Sequence, residues 1–425
     1  MARVYLQPLQ WNSQCITFSE WSSLLTLCLA PLIAHILSGT PHVSYLSHSR
    51  PKWYDYLCHY NPTSILWRYA AITDRRIRAL QWSPSDMAAS NAIFWTSEGW
   101  NGSERFVSQA TVHCIQTPKH ARVRILSVTM LKTLIITAQG VAALYTLAGS
   151  LAGTVSFNAA MGLDSIFFPL AILGLLRLCG AAWLTDDFAY MFREDIQMRP
   201  LSARPSIMTK EQETVLLSSD CTFEPLIGNT SSESHFRSVT YWPSRIFRFL
   251  YLLALAGVWT INLFYMAPIT SRTGFTVTSF YVGAFFLLFL TGSIATYAYY
   301  FIRGSTNTTI IPCLSSKWYR AYCALMLAAS VGLIVIAGIE TNRTPQGRFT
   351  SESLGLQNTQ CASNAVAWRV GPDSIIFAFL SSQPLQLPTT TTGTNTTWDS
   401  TILNNTFTTP AWSYNFTGWC VAIPE

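Results

Sequence analysis

An apolar stretch over residues 125–184 constrains the fold of this chain more than any other feature. It contains no charged residue between Lys132 and Asp164. About 20 apolar residues carry a helix across a bilayer core, and backbone polar groups in hydrocarbon must pair within their own segment. The stretch therefore predicts a transmembrane hairpin whose two helices cover residues 133–152 and 165–184.

Four further apolar segments have the same character, at residues 21–39, 249–268, 280–302 and 321–339. Charged residues make up only 11% of the chain, whereas they average about 25% in soluble domains. We therefore predict an all-α membrane protein with about six transmembrane helices. The first segment could instead be the apolar region of a signal peptide, although no basic region precedes it and it begins late.

The distribution of basic residues predicts the orientation in the membrane. The polar loops at residues 40–124, 185–248 and 303–320 contain 20 Lys and Arg, whereas the N-terminal segment 1–20, two short turns and the C-terminal tail contain 5. Because Lys and Arg accumulate on the cytosolic side, we predict that the three loops are cytosolic and both termini are not. Such a protein would reside in the secretory pathway or the plasma membrane.

The C-terminal tail, residues 340–425, is rich in threonine and contains four N-glycosylation sequons, at Asn342, Asn395, Asn404 and Asn415. Used sequons lie on the surface of secreted segments, so the tail independently predicts a glycosylated, non-cytosolic region. That compartment favours disulfides. Cys361 and Cys420 are the two cysteines beyond the last span, and we predict that they form a disulfide.

The first cytosolic loop contains an amphipathic pattern. Ile65, Tyr69 and Ile72 fall at helical spacing, and three arginines follow them: Arg75, Arg76 and Arg78. The pattern predicts a helix that lies on an anionic leaflet, where the arginines contact lipid headgroups. An ordinary solvated helix is the alternative.

A second helix is predicted further along the same loop. Ser83 and Asp86 have the spacing of a capping box, and Pro84 would occupy the first helical position. We expect that helix to continue through residues 91–95 and to end near Gly99.

Four charged residues are candidates for a site at the cytosolic face. Lys132 lies seven residues after the start of the apolar stretch at residue 125, and Arg177 lies seven residues before its end at residue 184. They are expected to extend to the headgroups, or alternatively to converge on one anion, such as a lipid phosphate. Asp186 and Asp187 follow the third span, and paired acids there could hold Mg²⁺, although a solvated acidic patch is the simpler interpretation. The chain contains no P-loop, HExxH or GxSxG motif, and no cofactor is predicted.

Three blocks resemble a known group of sequences: the run from Asn61 to Arg78, the run from Asp86 to Trp95, and Trp100 to Glu104. They are similar to a group of uncharacterised multispanning membrane proteins of filamentous fungi. The resemblance is clearest over residues 43–106 and weaker over the spans. It implies a multispanning architecture and brings no activity, cofactor or site residue with it.

Three classes of function therefore stay open. The protein could bind or move a lipid or an apolar small molecule, it could be a membrane enzyme that uses Asp186 and Asp187, or it could be a scaffold that displays a glycosylated tail. Membrane lipids are the expected partners. Nucleic acid is not expected, because the basic residues are spread along the chain and interleaved with acids.

Overall fold

The computed structural model describes residues 16–110, 114–151, 161–190, 235–266, 275–343 and 349–351. It also describes isolated positions before residue 16 and two short strands after residue 366. The predicted disulfide cysteines, Cys361 and Cys420, lie outside the described residues, and so do the sequons at Asn395, Asn404 and Asn415. Asn342 is described and lies in a short strand.

Five helices are long and apolar enough to cross a membrane. They are α1 (Phe18–Gly39), α6 (Val128–Leu151), α8 (Trp242–Met266), α9 (Val277–Ile302) and α10 (Lys317–Glu340). Their sequences satisfy the requirement for about 20 apolar residues. They support the prediction of a mostly helical, multi-pass membrane protein.

The predicted third span, residues 165–184, is not one long helix. It contains the seven-residue helix α7 (Phe168–Gly174), which continues as a five-residue 3₁₀ helix, Leu175–Cys179. At 1.5 and 2.0 Å per residue the two cover roughly 20 Å, less than the ~30 Å of a bilayer core. Pro169 favours the first turn of α7 and cannot extend a helix that started earlier.

Residues 163–177 nevertheless connect the two ends of the helix bundle. At one end, the Leu163 backbone N–H donates to Thr341 Oγ1 at 2.9 Å, just past the end of α10. At the other end, Arg177 Nε donates to Thr133 Oγ1 at 2.9 Å, near the start of α6. The chain thus passes along the bundle here, although only part of the passage is helical.

Four shorter helices and a small sheet form the region at residues 40–124. The helices are α2 (Trp53–Tyr60), α3 (Pro62–Arg78), α4 (Pro84–Asn91) and α5 (Glu104–Ala110). The sheet contains β1 (Val43–Tyr45), β2 (Ile93–Thr96) and β3 (Gly99–Asn101). β1 runs parallel to β2, and β3 runs antiparallel to it with Trp95 opposite Trp100.

The capping box predicted for α4 is present, since Ser83 and Asp86 exchange hydrogen bonds around the first turn. The prediction that this helix continues to residue 95 is wrong. Residues 93–96 are Ile, Phe, Trp and Thr, which favour a strand over a helix, and they form β2. Gly99 supplies the positive φ of 109° that the turn into β3 requires.

Three two-stranded ribbons complete the described structure. β4 (Cys114–Gln116) pairs with β5 (Ala189–Tyr190), β6 (Asn342–Arg343) pairs with β7 (Phe349–Thr350), and β8 (Ala367–Arg369) pairs with β9 (Ile375–Phe377).

Helix α3 lies inside the bundle, against α1, α8 and α9. Fourteen of its 17 residues are buried. Tyr251 on α8 donates to the Leu66 carbonyl at 2.8 Å, and Ser64 shares a 2.6 Å hydrogen bond with Tyr319 on α10. The helix was predicted correctly, but its predicted place on a leaflet surface is wrong. Its polar side chains find partners within the protein, so its whole circumference can be covered.

Candidate ligand-binding site

An apolar cavity of about 90 Å³ lies between α1, α7, α9 and α10, next to the junction of α2 and α3. Its floor consists of the buried rings of Phe167, Phe286 and Phe289. At its rim Tyr60 and Leu327 are 43% and 52% exposed. The cavity is therefore reached from the outer surface of the bundle, where acyl chains would surround the helices.

Helix periodicity brings the lining residues to one face of each helix. Leu32 and Ile36 are four residues apart on α1, and Met326 and Ser330 are four apart on α10. Residues at this spacing point in the same direction. Short segments from six different elements form the wall, so no single stretch of sequence indicates the cavity.

Polar groups are concentrated at one end of the cavity. Asn61 Nδ2 donates to Cys323 Sγ at 3.2 Å, and Asn61 Oδ1 accepts from the Thr63 backbone N–H at 2.8 Å, where it caps α3. Along the wall, the Ser330 hydroxyl donates to the Met326 carbonyl of its own helix at 2.8 Å. With these hydrogen bonds made inside the protein, the cavity presents an apolar surface.

A buried ionic network lies at the other end of α3. Asp74 accepts from Arg78 Nε at 3.0 Å and from Arg248 Nη2 at 3.0 Å, and it also accepts from the Ser244 hydroxyl. Glu104 on α5 forms a salt bridge with Arg78. The network joins α3, α5 and α8 and compensates charges that would be costly to bury alone.

The arginines predicted to contact lipid are placed differently. Arg75 and Arg78 are fully buried. Arg75 Nη2 donates to the carbonyls of Gly102 and Asn307, at 2.7 and 3.1 Å, and burial lowers its pKa to about 10. A headgroup cannot reach these two side chains, because protein covers them. The packing of α3 encloses both side chains, and this packing cannot be predicted from the local sequence.

Arg76 is the partly exposed member of the three arginines. Its guanidinium lies 5.7 Å from the Trp82 ring centroid and 5.9 Å from that of Trp183, within the range of cation–π contacts. Its surroundings are therefore aromatic.

Lys132 and Arg177 do not converge on a common site. Lys132 Nζ forms a 2.8 Å salt bridge with Asp186, and both side chains are about one third exposed. Arg177 is buried and donates to Thr133 Oγ1, to the Ser38 carbonyl and to the Tyr69 hydroxyl. Although both residues lie near the same turn of α6, one cation is partly solvated and the other is enclosed.

Asp186 and Asp187 face different partners. Asp186 binds Lys132, whereas Asp187 accepts a 3.0 Å hydrogen bond from Gln116 Nε2. Within the described residues, no group of three or more His, Cys, Asp or Glu side chains is arranged to hold a metal ion. The geometry therefore gives no support to the predicted Mg²⁺ site.

Sequence reasoning missed Asp74, Glu104 and Arg248 of the ionic network and Cys58 and Cys323 beside the cavity. Asp74 and Arg78 have the i, i+4 spacing of a helical ion pair, and this was the available signal for the network. The cysteines have no local signal, because they come from distant parts of the chain.

Comparisons with protein-family models, with curated proteins and with solved structures found no match to this chain.

Proposed function

We propose that this multi-pass membrane protein binds the acyl chain of a lipid, or an apolar small molecule of similar shape, in the cavity between α1, α7, α9 and α10. The observation that carries the proposal is a cavity with an aromatic floor and a rim exposed on the outer surface of the bundle.

Shape must supply the selectivity of such a site. A lipid chain gains no hydrophobic free energy on leaving a bilayer that is equally apolar, so affinity has to come from van der Waals packing. A dry cavity of about 150 Å³ is enough to bind benzene. The cavity here, at about 90 Å³, would take only part of a chain, with the rest lying along the surface of α10.

The basic and aromatic residues near the rim favour a lipid over an uncharged apolar molecule. Arg320 lies one turn before Cys323 on α10, and it bridges to Asp55 on α2 at 2.9 Å. Trp53 and Trp318 are highly exposed at the starts of α2 and α10, as expected for residues at a membrane interface. A lipid whose acyl chain occupies the cavity would place its headgroup near this surface.

The orientation is part of the same proposal. The excess of Lys and Arg in the loops and the sequons in the tail support non-cytosolic termini and a location in the secretory pathway or plasma membrane. Membership of the fungal group of multispanning proteins is likewise proposed, on the blocks within residues 43–106.

The test introduces a tryptophan that fills the cavity, and the control introduces a tryptophan at the next position of the same helix. Ser330 lines the cavity, whereas Val331, the next residue, is 55% exposed on the outer face of α10. The protein is reconstituted with a phospholipid that carries a photoactivatable group in its acyl chain, and the labelled peptides are mapped by mass spectrometry.

We expect labelling at Phe286, Phe289 or Met326, its loss in Ser330→Trp, and its persistence in Val331→Trp. Equal labelling of these positions and of exposed residues on α8, unaffected by Ser330→Trp, would contradict the proposal.

A further inference from the structure

A second, smaller cavity of about 10 Å³ lies where the end of α1 meets α2, α3 and β2. Among the described residues, none lines both this cavity and the apolar one. A volume of this size holds about one water-sized species. Much of its wall is aliphatic, but two basic side chains also line it, His59 on α2 and Arg68 on α3. They are only 4% and 3% exposed.

Each of these two side chains has a buried nitrogen that no other described group satisfies. Arg68 donates to the carbonyls of Gly39 and Asn91, both at 2.8 Å, through its two terminal nitrogens, but its Nε has no partner. His59 Nε2 has none either, and the ring is held edge-to-face against Trp100, with the centroids 4.4 Å apart. Because buried polar groups are normally hydrogen-bonded, two such nitrogens at one cavity indicate a site for an acceptor.

The cavity also lies in a region of buried positive charge. Arg177, which is 2% exposed, donates to the carbonyl of Ser38 at the end of α1. Within the described part of the chain, no carboxylate forms a salt bridge with Arg68 or Arg177. Asp186 acts on Arg68 from a greater distance and is itself bound to Lys132. The C-terminal end of α1 offers about half an elementary negative charge, so most of the charge on the two arginines is uncompensated.

We propose that a halide ion, chloride under physiological conditions, binds in this cavity in contact with Arg68 and His59. The ion accepts hydrogen bonds from both side chains and supplies the negative charge that buried guanidinium groups require. Burial and the charge of Arg68 lower the pKa of His59 to about 3, so the ring is neutral and donates from one nitrogen. A water molecule could accept the same hydrogen bonds, but it would leave the charges uncompensated.

The size of the cavity selects the class of anion. Phosphate, sulfate and carboxylate ions contain several heavy atoms and are too large for about 10 Å³. A halide is slightly larger than water, so the aliphatic side chains of the wall, such as Ile310 and Leu314, must move slightly to admit it. The bound ion would join the end of α1 to α2 and α3. Its binding does not depend on lipid, since the two cavities are lined by different residues.

The first test uses bromide, which binds where chloride does and scatters X-rays anomalously. Crystals of the full-length protein are grown in a lipidic mesophase with sodium bromide. We expect an anomalous peak in the cavity, in contact with Arg68 Nε, and its absence when gluconate replaces bromide. Density for a water molecule at this position in the bromide crystals, or bromide only at exposed residues, would overturn the proposal.

Thermal unfolding in detergent micelles measures the same binding in solution. A ligand that binds only the folded state raises the Tm as its concentration rises. We expect the Tm to be a few degrees higher in sodium chloride than in sodium gluconate of equal ionic strength, and the difference to saturate. An equal Tm in the two salts would contradict the proposal.

Variants assign the contacts. His59→Phe keeps a ring against Trp100 but removes the donor, so the chloride concentration for half of the effect should rise about tenfold or more. His48→Phe changes an exposed histidine and is the matched control, which should respond as the unaltered protein does. An unchanged response in His59→Phe would contradict its contact with the ion. Arg68→Gln should abolish the response, and if this variant does not fold, the bromide experiment on the unaltered protein decides.

Discussion

The carboxylate of Asp74 and the guanidinium of Arg248, 174 residues apart in the sequence, form a buried ion pair with an N–O distance of 3.0 Å. The pair attaches α3 to the first turns of α8. It explains how a helix rich in charge can lie inside the bundle.

We predict that Asp74→Asn destabilises the protein by about 3 to 5 kcal/mol, because it leaves Arg78 and Arg248 buried without their shared counter-ion. Thermal unfolding in detergent micelles measures the change. Asp186→Asn is the control, since its ion pair with Lys132 is partly exposed and worth about 0 to 1 kcal/mol. A loss of stability in Asp74→Asn that is as small as the loss in Asp186→Asn would show that the network is not important for stability.

A second prediction compares two cations near the same turn of α6. Arg177→Gln removes buried hydrogen bonds to Ser38 and Thr133, and an unpaired buried polar group costs about 1 to 3 kcal/mol. Lys132→Gln breaks only the exposed pair and should cost less than about 1 kcal/mol. Unfolding of both single variants and of the double variant checks this, and additive losses are expected. A double variant no worse than either single one would instead indicate that the two cations act as one site.

The third prediction concerns pH. Burial raises the pKa of Asp164 to about 6, from an ordinary value of 3.8. The folded state therefore binds more protons than the unfolded state between these values, so this residue's contribution to stability falls as the pH rises from about 4 to about 6. Above that range the loss is complete.

Asp164→Asn removes this penalty. We expect it to stabilise the protein at pH 7, by up to about 3 kcal/mol, and to change stability little at pH 4. Unfolding measured at several pH values tests the prediction, with the exposed Asp187→Asn as control. A gain that is equal at pH 4 and pH 7 would point to a cause other than the ionisation of Asp164.

The fourth prediction tests the orientation. We expect N-linked glycan on Asn395, Asn404 or Asn415 and none on Asn101, since the positive-inside pattern predicts that the first loop is cytosolic. Digestion with a glycosidase and peptide mapping of protein from a eukaryotic host measure this. Glycan at Asn101 would place residues 40–124 outside the cytosol and reverse the proposed topology.

Local patterns were sufficient for the long helices and for the starts of shorter ones. The length of an apolar run and the residues of a capping box act within a few turns of chain, so α1, α6, α8, α9, α10 and the start of α4 were all predicted. The short α7 was not. Its composition is apolar throughout, and the irregular backbone of residues 161–167 depends on contacts such as that of Leu163 with Thr341.

The sequence by itself determined the membrane class, the helical fold and the positions of five long helices, because hydrophobic length and periodicity are properties of neighbouring residues. Only the tertiary structure decided where α3 lies, which charges are buried, and that a cavity exists. The periodicity of Ile65, Tyr69 and Ile72 is equally compatible with a leaflet surface and with the interior. The interior is possible because Arg248, Glu104 and backbone carbonyls from distant segments supply partners for the charges of α3, and no local pattern encodes those long-range pairings.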